Sequence, residues 1–304
     1  MINDNAGREF DFAPCVERGE GWVALNLIDD PARARDLNLP EVDRDQAETV
    51  ALGAIQVTDA LIVGIPEPPA HIDIDPRFSA ARRGAWYSLG FVLREASARY
   101  LDIESQELRV GLRLAGAGTD AHGEIFIADS LENGAGYSTH LGREPHFERV
   151  LEEASSYLTL LRRSEHADVC DSSCYDCLRD YFNANYHPLL DWRLGRDMLD
   201  LLEGRALDVA AWHELEARIS GQLASDFAGT ALKLDGDVNA VDFGTQLMLV
   251  VHPLESQHQH PRRLGEAIAD AEERGFGELS GRPIVLRDSF DLIRRPGWVA
   301  AQLV

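Results

Sequence analysis

The chain has 304 residues, 45% of them hydrophobic, and carries 52 acidic against 29 basic residues for a formal charge of −23. That apolar content supports one large domain or two modest ones, and no apolar run is long enough to cross a bilayer. The charge argues against strong unaided binding to DNA, because non-specific affinity comes from Lys and Arg meeting phosphates, and Lys233 is the only lysine.

The N-terminal stretch MINDNAGREFDFAP has no basic n-region and no apolar h-region, so it does not read as a secretory signal. WVALNLI (22–28) reads as a short buried strand and DALIVGI (59–65) as another. The second ends in the proline-rich connection PEPPAHIDIDP, a candidate boundary. In the following stretch Phe78, Ala81, Ala85, Leu89, Val92, Ala96 and Tyr100 recur at three- and four-residue steps and predict a helix. ELRVGLRL (107–114) and EIFIADS (124–130) read as strands. Phe147, Val150, Leu151, Ala154, Leu158 and Leu161 mark a second amphipathic helix. Leu190, Leu194, Met198 and Leu201 mark a third, and Val209, Trp212, Leu215, Ile219 and Leu223 a fourth. ALKLD (231–235), VNAVDF (238–243), QLMLVVH (246–252) and PIVLRD (283–288) read as strands, with LGEAIADAEERG as a helix before the last.

Between the second and third helices lies HADVCDSSCYDCLRDYFNANYHPLLDWRLGRD (166–197), with three of the four cysteines: Cys170, Cys174 and Cys177. Without an export signal, clustered cysteines point to a reduced cytoplasmic setting and to metal. Thiolate and imidazole suit a zinc tetrahedron. Leu178–Tyr181 reads as a helix start, whose dipole would favour the Cys177 thiolate. Three ligands are evident and the fourth is open. His187 ranks first: an unbroken helix would carry it about 15 Å from Cys177, but Asn183, Asn185 and Pro188 break the helix and let a loop return. His166 ranks second, followed by Cys15, an aspartate such as Asp168, or water. A structural zinc is preferred to a catalytic one, since no acid or base stands out beside an open position.

Asp129 precedes a glycine turn in IFIADSLENGAGYSTHL (125–141). The outline suggests a phosphate cradle, yet the G-x-G-x-x-G and Walker patterns are absent, and a close-packed turn is the simpler reading. His252, His258 and His260 form a histidine loop that reads as polar rather than metal-binding. Arg294, Arg295 and Trp298 in FDLIRRPGW make either a small contact surface or a packed tail.

CDSSCYDCLRDYFNANYHPLLDWRL resembles the segment C-x3-C-x2-C-L-x2-Y-x-N-x3-H-x2-L-D-x-R of the MrfA-type zinc-binding domain family. That domain occurs at the C-terminus of DEAD/DEAH-box helicases, one of them a DNA-repair helicase, and in DrmB-type subunits of DISARM phage-defence systems. SLGFVLREASARYLDIESQEL and IFIADSLENGAGY match the family's long helix, strand and D…GGxGY turn in order, so the resemblance covers about residues 77–200. In two places the chain departs from its relatives. Asp168 stands where many of them have a first cysteine, and Asn133 replaces the first glycine of the turn.

The resemblance implies a non-catalytic, zinc-binding accessory module. It would work with a DEAD/DEAH-box-type DNA helicase or another defence or repair subunit, and touch DNA only indirectly. No Walker lysine loop or DEAD box is present, so no ATPase is expected. The alternative is a metal-dependent hydrolase or nuclease using Asp129 and the histidine loop. Direct nucleic-acid binding is a third reading, opposed by the charge. The expected fold is mixed α+β: helices on small mixed sheets, with a Cys-rich zinc knuckle between two long helices. The expected division is 1–76, 77–205 (zinc-binding) and 206–304.

Overall fold

The computed structural model describes residues 2–3, 10–16, 21–29, 31–50, 52–53, 56–65, 67–116, 118, 121–163, 165–256 and 258–301. Met1 and residues 4–9 of the N-terminal stretch lie outside the described residues. Two compact units, Met1–Val57 and Thr58–Val304, make up the chain.

The first unit contains β1 (Ile2–Asn3), β2 (Phe10–Pro14), β3 (Trp22–Ala24), α1 (Leu25–Ile28), α2 (Pro31–Asp36), β4 (Glu48–Val50) and β5 (Leu52–Gly53). β1 pairs with β5, and β2 lies between β3 and β4, all antiparallel. The expected strand over 22–28 stops at Ala24, where the chain turns into α1. None of the α1 residues is buried. A short apolar run cannot distinguish a strand from a helical turn by periodicity alone.

The second unit opens with β6 (Ala60–Gly64) and α3 (Ala80–Leu101), followed by β7 (Leu108–Ala115) and β8 (His122–Asp129). β8 is the middle strand of an antiparallel sheet, with β6 and β7 on either side. The Ser79 hydroxyl caps α3 by accepting from the Ala81 and Arg82 amides. Phe78 falls outside the helix and is exposed, so the expected stripe begins at Ala81. From there α3 is buried on most sides, because the sheet and further helices all pack against it. Gly84 and Gly90 permit this crowding: a Cβ would lie 2.5 Å from the Leu189 carbonyl at Gly84 and 2.5 Å from Val110 Cγ1 at Gly90.

α4 (Tyr137–Leu141), α5 (His146–Arg163), α6 (His166–Val169) and α7 (Trp192–Leu202) follow. α5 turns Val150, Ala154, Tyr157, Leu158 and Leu161 inward, and α7 turns in Leu194 and Met198, so both pack on α3. α8 (His213–Asp226) comes next, with Val209 and Trp212 of the expected stripe in a preceding 3₁₀ turn.

The chain ends with β9 (Thr230–Leu234), β10 (Val238–Asp242), β11 (Leu247–Val251), α9 (Arg262–Glu273), β12 (Ile284–Asp288), α10 (Ser289–Arg294) and α11 (Pro296–Ala301). β9, β10 and β11 form an antiparallel meander, and β12 joins β11 in parallel. Val238, Ala240, Leu249 and Val251 face α9, while Val241, Met248 and Val250 face α8 and Leu292 of α10. The architecture is therefore mixed α+β, and the cysteine-rich turn lies between α5 and α7. No helix among the described residues is long and apolar enough to cross a membrane.

Candidate metal centre

α6 is a single turn closed by the Cys170 amide donating to the His166 carbonyl at 2.9 Å. One helical turn separates the two residues, which puts His166 beside Cys170. A second turn closes at Cys174–Cys177, where the Cys177 and Arg179 amides both donate to the Cys174 carbonyl, at 3.2 and 3.0 Å. The two turns bring one ligand atom each from His166, Cys170, Cys174 and Cys177 within 4.8 Å of one another.

The separations suit zinc. With Zn–S near 2.3 Å and Zn–N near 2.0–2.1 Å, a tetrahedron has S···S edges of about 3.8 Å and S···N edges of about 3.5 Å. Cys174 Sγ lies 3.8 Å from Cys177 Sγ and 3.4 Å from His166 Nε2. The thiols also compete for one negative charge. A hydrogen bond from Cys177 draws Cys170 down to about 6. Donating that bond pushes Cys177 up, and burial pushes Cys174 up. A divalent cation would favour all three thiolates together.

The loop is held from below by the start of α7. The Trp192 amide donates to the Ser172 carbonyl at 2.9 Å, and its Nε1 to the Cys170 carbonyl at 3.3 Å. The buried Arg193 guanidinium donates to the carbonyls of Cys170, Asp171 and Ala167 at 3.0, 3.2 and 3.4 Å. The Trp192 ring meets the His166 imidazole edge-on at 5.7 Å. From α5, the Tyr157 hydroxyl donates to the Cys177 carbonyl at 2.8 Å. These supports were not read from the sequence, although Trp192 and Arg193 both fall inside the family-like segment.

His187 is not among the gathered ligands. The expected helix start at Leu178 is a turn, so Cys177 does not stand at a helix N-terminus. A 3₁₀ segment, Tyr181–Tyr186, begins instead at Asp180, whose carboxylate caps it in a capping box with Asn183. His187 turns back onto that cap: its Nε2 lies 2.8 Å from Asn183 Oδ1 and 3.0 Å from the Asp180 carbonyl. Both partners are acceptors, so Nε2 is the protonated nitrogen and closes the loop. Cys15 sits in the first unit, bridged to Val42, and Asp168 is exposed. Neither belongs to the four-ligand group.

The other candidates resolve differently. Asp129 is buried, and its carboxylate accepts from the amides of Ala135, Tyr137 and Ser138 and from the Ser138 hydroxyl at 2.6–3.1 Å. Burial pushes its proton affinity up, but these donors outweigh it and hold the carboxyl below its ordinary range. The turn that suggests a phosphate cradle is thus filled by the chain's own carboxylate. His252 is buried, with Nε2 3.0 Å from Asp197 and Nδ1 accepting from the Leu254 amide, while His258 and His260 are exposed. Among the described residues, only His166 and the three cysteines form a group able to hold a metal. Arg294 is a packed tail residue that donates to the Pro188 and Leu190 carbonyls, both at 2.9 Å.

Comparison with known proteins bears out the resemblance. A family model, the MrfA Zn-binding domain, matches residues 89–178. The Druantia protein DruE of Escherichia coli (strain UMEA 4076-1) is 32% identical over 120 residues, covering 38% of this chain and 6% of DruE. The chain therefore spans a small fraction of that relative. The crystal structure of the DUF1998 helicase MrfA bound to DNA aligns with 40% of this chain and 14% of its own, at 16% identity and a TM-score of 0.28.

Proposed function

We propose that the chain is a zinc-stapled, non-catalytic module that works with a DNA helicase or translocase in phage defence or DNA repair. The gathered His166, Cys170, Cys174 and Cys177, inside the segment that matches the MrfA Zn-binding domain, carry this reading. Four protein ligands fill a zinc tetrahedron and leave no position for substrate, which favours a structural role. Zinc would tie the α6 turn to the 174–177 turn and fix the path from α5 into α7. Reduced thiols fit a cytoplasmic setting. The division at 1–76, 77–205 and 206–304 stays part of this proposal. Affinity purification of the tagged chain from its host is the test. Co-purification of a helicase or another DNA-defence subunit is expected, and recovery of unrelated metabolic enzymes alone would contradict the proposal.

The hydrolase reading draws no support from its own residues. Asp129 spends its carboxylate on the 135–138 turn, and His252 is buried against Asp197.

A further inference from the structure

A polar cluster beneath the C-terminal sheet takes no part in the metal centre. Glu216 on α8 is 0% exposed, and neither carboxyl oxygen has a hydrogen-bond partner among the described residues. Three neighbours also have buried polar atoms without a partner: Asn239 Nδ2 on β10, Arg263 Nη1 on α9 and His213 Nε2 one turn back on α8. Native interiors leave few such atoms, and a concentration of them in one place calls for a physical explanation.

The surrounding charges are already committed. Arg263 forms a two-point pair with Glu255, at 2.8 and 2.6 Å. His252 faces Asp197 of α7. Burial opposes a second proton on His252 and the Asp197 carboxylate favours it, with the carboxylate ahead. The Leu254 amide must leave Nδ1 before that proton can settle. The Asn239 amide leans toward Glu216 without completing a hydrogen bond. Lys233 of β9 and Asp208, before α8, act on His213, whose ring burial favours as neutral. On α10, Asp291 pairs with Arg295, and Arg294 turns to the 188–191 segment. Of the three acids in the cluster, Asp197, Glu216 and Glu255, Glu216 is the one with no paired cation.

We propose that Glu216 is a protonation switch at the joint between α8 and the C-terminal sheet. With its proton, the side chain is neutral and α8 packs dry on β10. Without it, α8 loosens until water reaches the carboxylate. Burial pushes this carboxyl up to about 7, against the pull of His252 and Arg263, so ionisation falls near neutral pH. The packed state binds the proton more tightly than the open state does. Packing is therefore favoured at low pH, and the advantage is lost as pH rises from the ordinary glutamate range to about 7. α8 also carries Arg218, ion-paired with Asp171 in the metal loop, so loosening at Glu216 reaches the cysteine turns.

Hydrogen exchange of the zinc-loaded full chain, corrected for intrinsic rates, tests this at pH 6.0 and 7.5. The opening equilibrium of α8 is expected to rise about tenfold in the wild-type chain. In Glu216→Gln it should stay low at both values. Burial also pushes Asp288 up, to about 6, so Asp288→Asn serves as the control and should keep the wild-type response. A wild-type slope in Glu216→Gln, or no slope in the wild-type chain, overturns the proposal. If Glu216→Gln does not fold, difference infrared spectroscopy of the Asp288→Asn chain decides, since Asp288 would otherwise add a protonated-carboxyl band of its own. Loss of a buried protonated-carboxyl band between the two pH values supports the switch, and its absence refutes it.

Discussion

The Arg193 guanidinium donates to the Cys170 carbonyl at 3.0 Å, and the same head group reaches the carbonyls of Asp171 and Ala167. One side chain at the start of α7 thus holds backbone on both sides of a proposed metal ligand. Arg193→Met should remove a donor from each of three carbonyls, leaving Cys170 the longer Trp192 bond, and destabilise the chain by about 2–4 kcal/mol. It should also weaken zinc retention against a chelator. Arg193→Lys, which lacks the planar fork, should recover only part of both. Chemical denaturation and a zinc competition assay are the measurements. Full retention of both properties in the Met variant would mean that the clamp is incidental.

Asp129 gives a pH dependence of the opposite sign from Glu216. Its carboxyl is held below the ordinary range in the folded chain, so its contribution is present above about pH 3.9 and is lost as pH falls through the folded value. Asp129→Asn should lower stability at pH 7 by about 2–3 kcal/mol, through weaker bonds to the 135–138 turn. The gap to wild type should shrink below about pH 4. Urea unfolding at the two pH values measures it. A gap of the same size at both would count against the charge-based account.

Gly134 in the same turn has φ +76°, and a Cβ there would lie 2.7 Å from Asp59 Oδ2. Gly134→Ala should cost about 1–3 kcal/mol from backbone strain and this contact together. Gly136 also has positive φ, +85°, but faces open space, so Gly136→Ala should cost less. Thermal melts of both variants check the order.

Much of this was legible in the sequence. The α3 and α5 stripes and the three cysteines follow from spacing, because helical period and a C-x2-C turn are local properties. The fourth position was not settled by spacing, for an equally physical reason: the structure gathers His166, ranked second, with the three cysteines and not His187. Asn183 and Pro188 do break the chain before α7, as expected, but Asp180 caps that break and His187 closes onto the cap. The signal for His166 was its position one helical turn before Cys170. The Glu216, His252 and Asp197 cluster was not legible, because it joins residues from α7, α8 and the loop after β11 that only tertiary packing brings together.

Removal of zinc should act locally first. Under chelation, protection of the 166–178 amides is expected to fall before that of β10 and β11, which have their own core against α8 and α9. Hydrogen exchange resolves the two regions. Simultaneous loss would show that the metal holds the whole second unit.

Zinc K-edge X-ray absorption on the full chain and two variants tests the central claim most directly. Three sulfur neighbours at about 2.3 Å and one nitrogen at about 2.0–2.1 Å are expected in the wild-type chain. His187→Ala should leave that shell intact, and His166→Ala should remove its nitrogen. A nitrogen lost in His187→Ala but kept in His166→Ala, or a purified chain without zinc, would contradict the assignment.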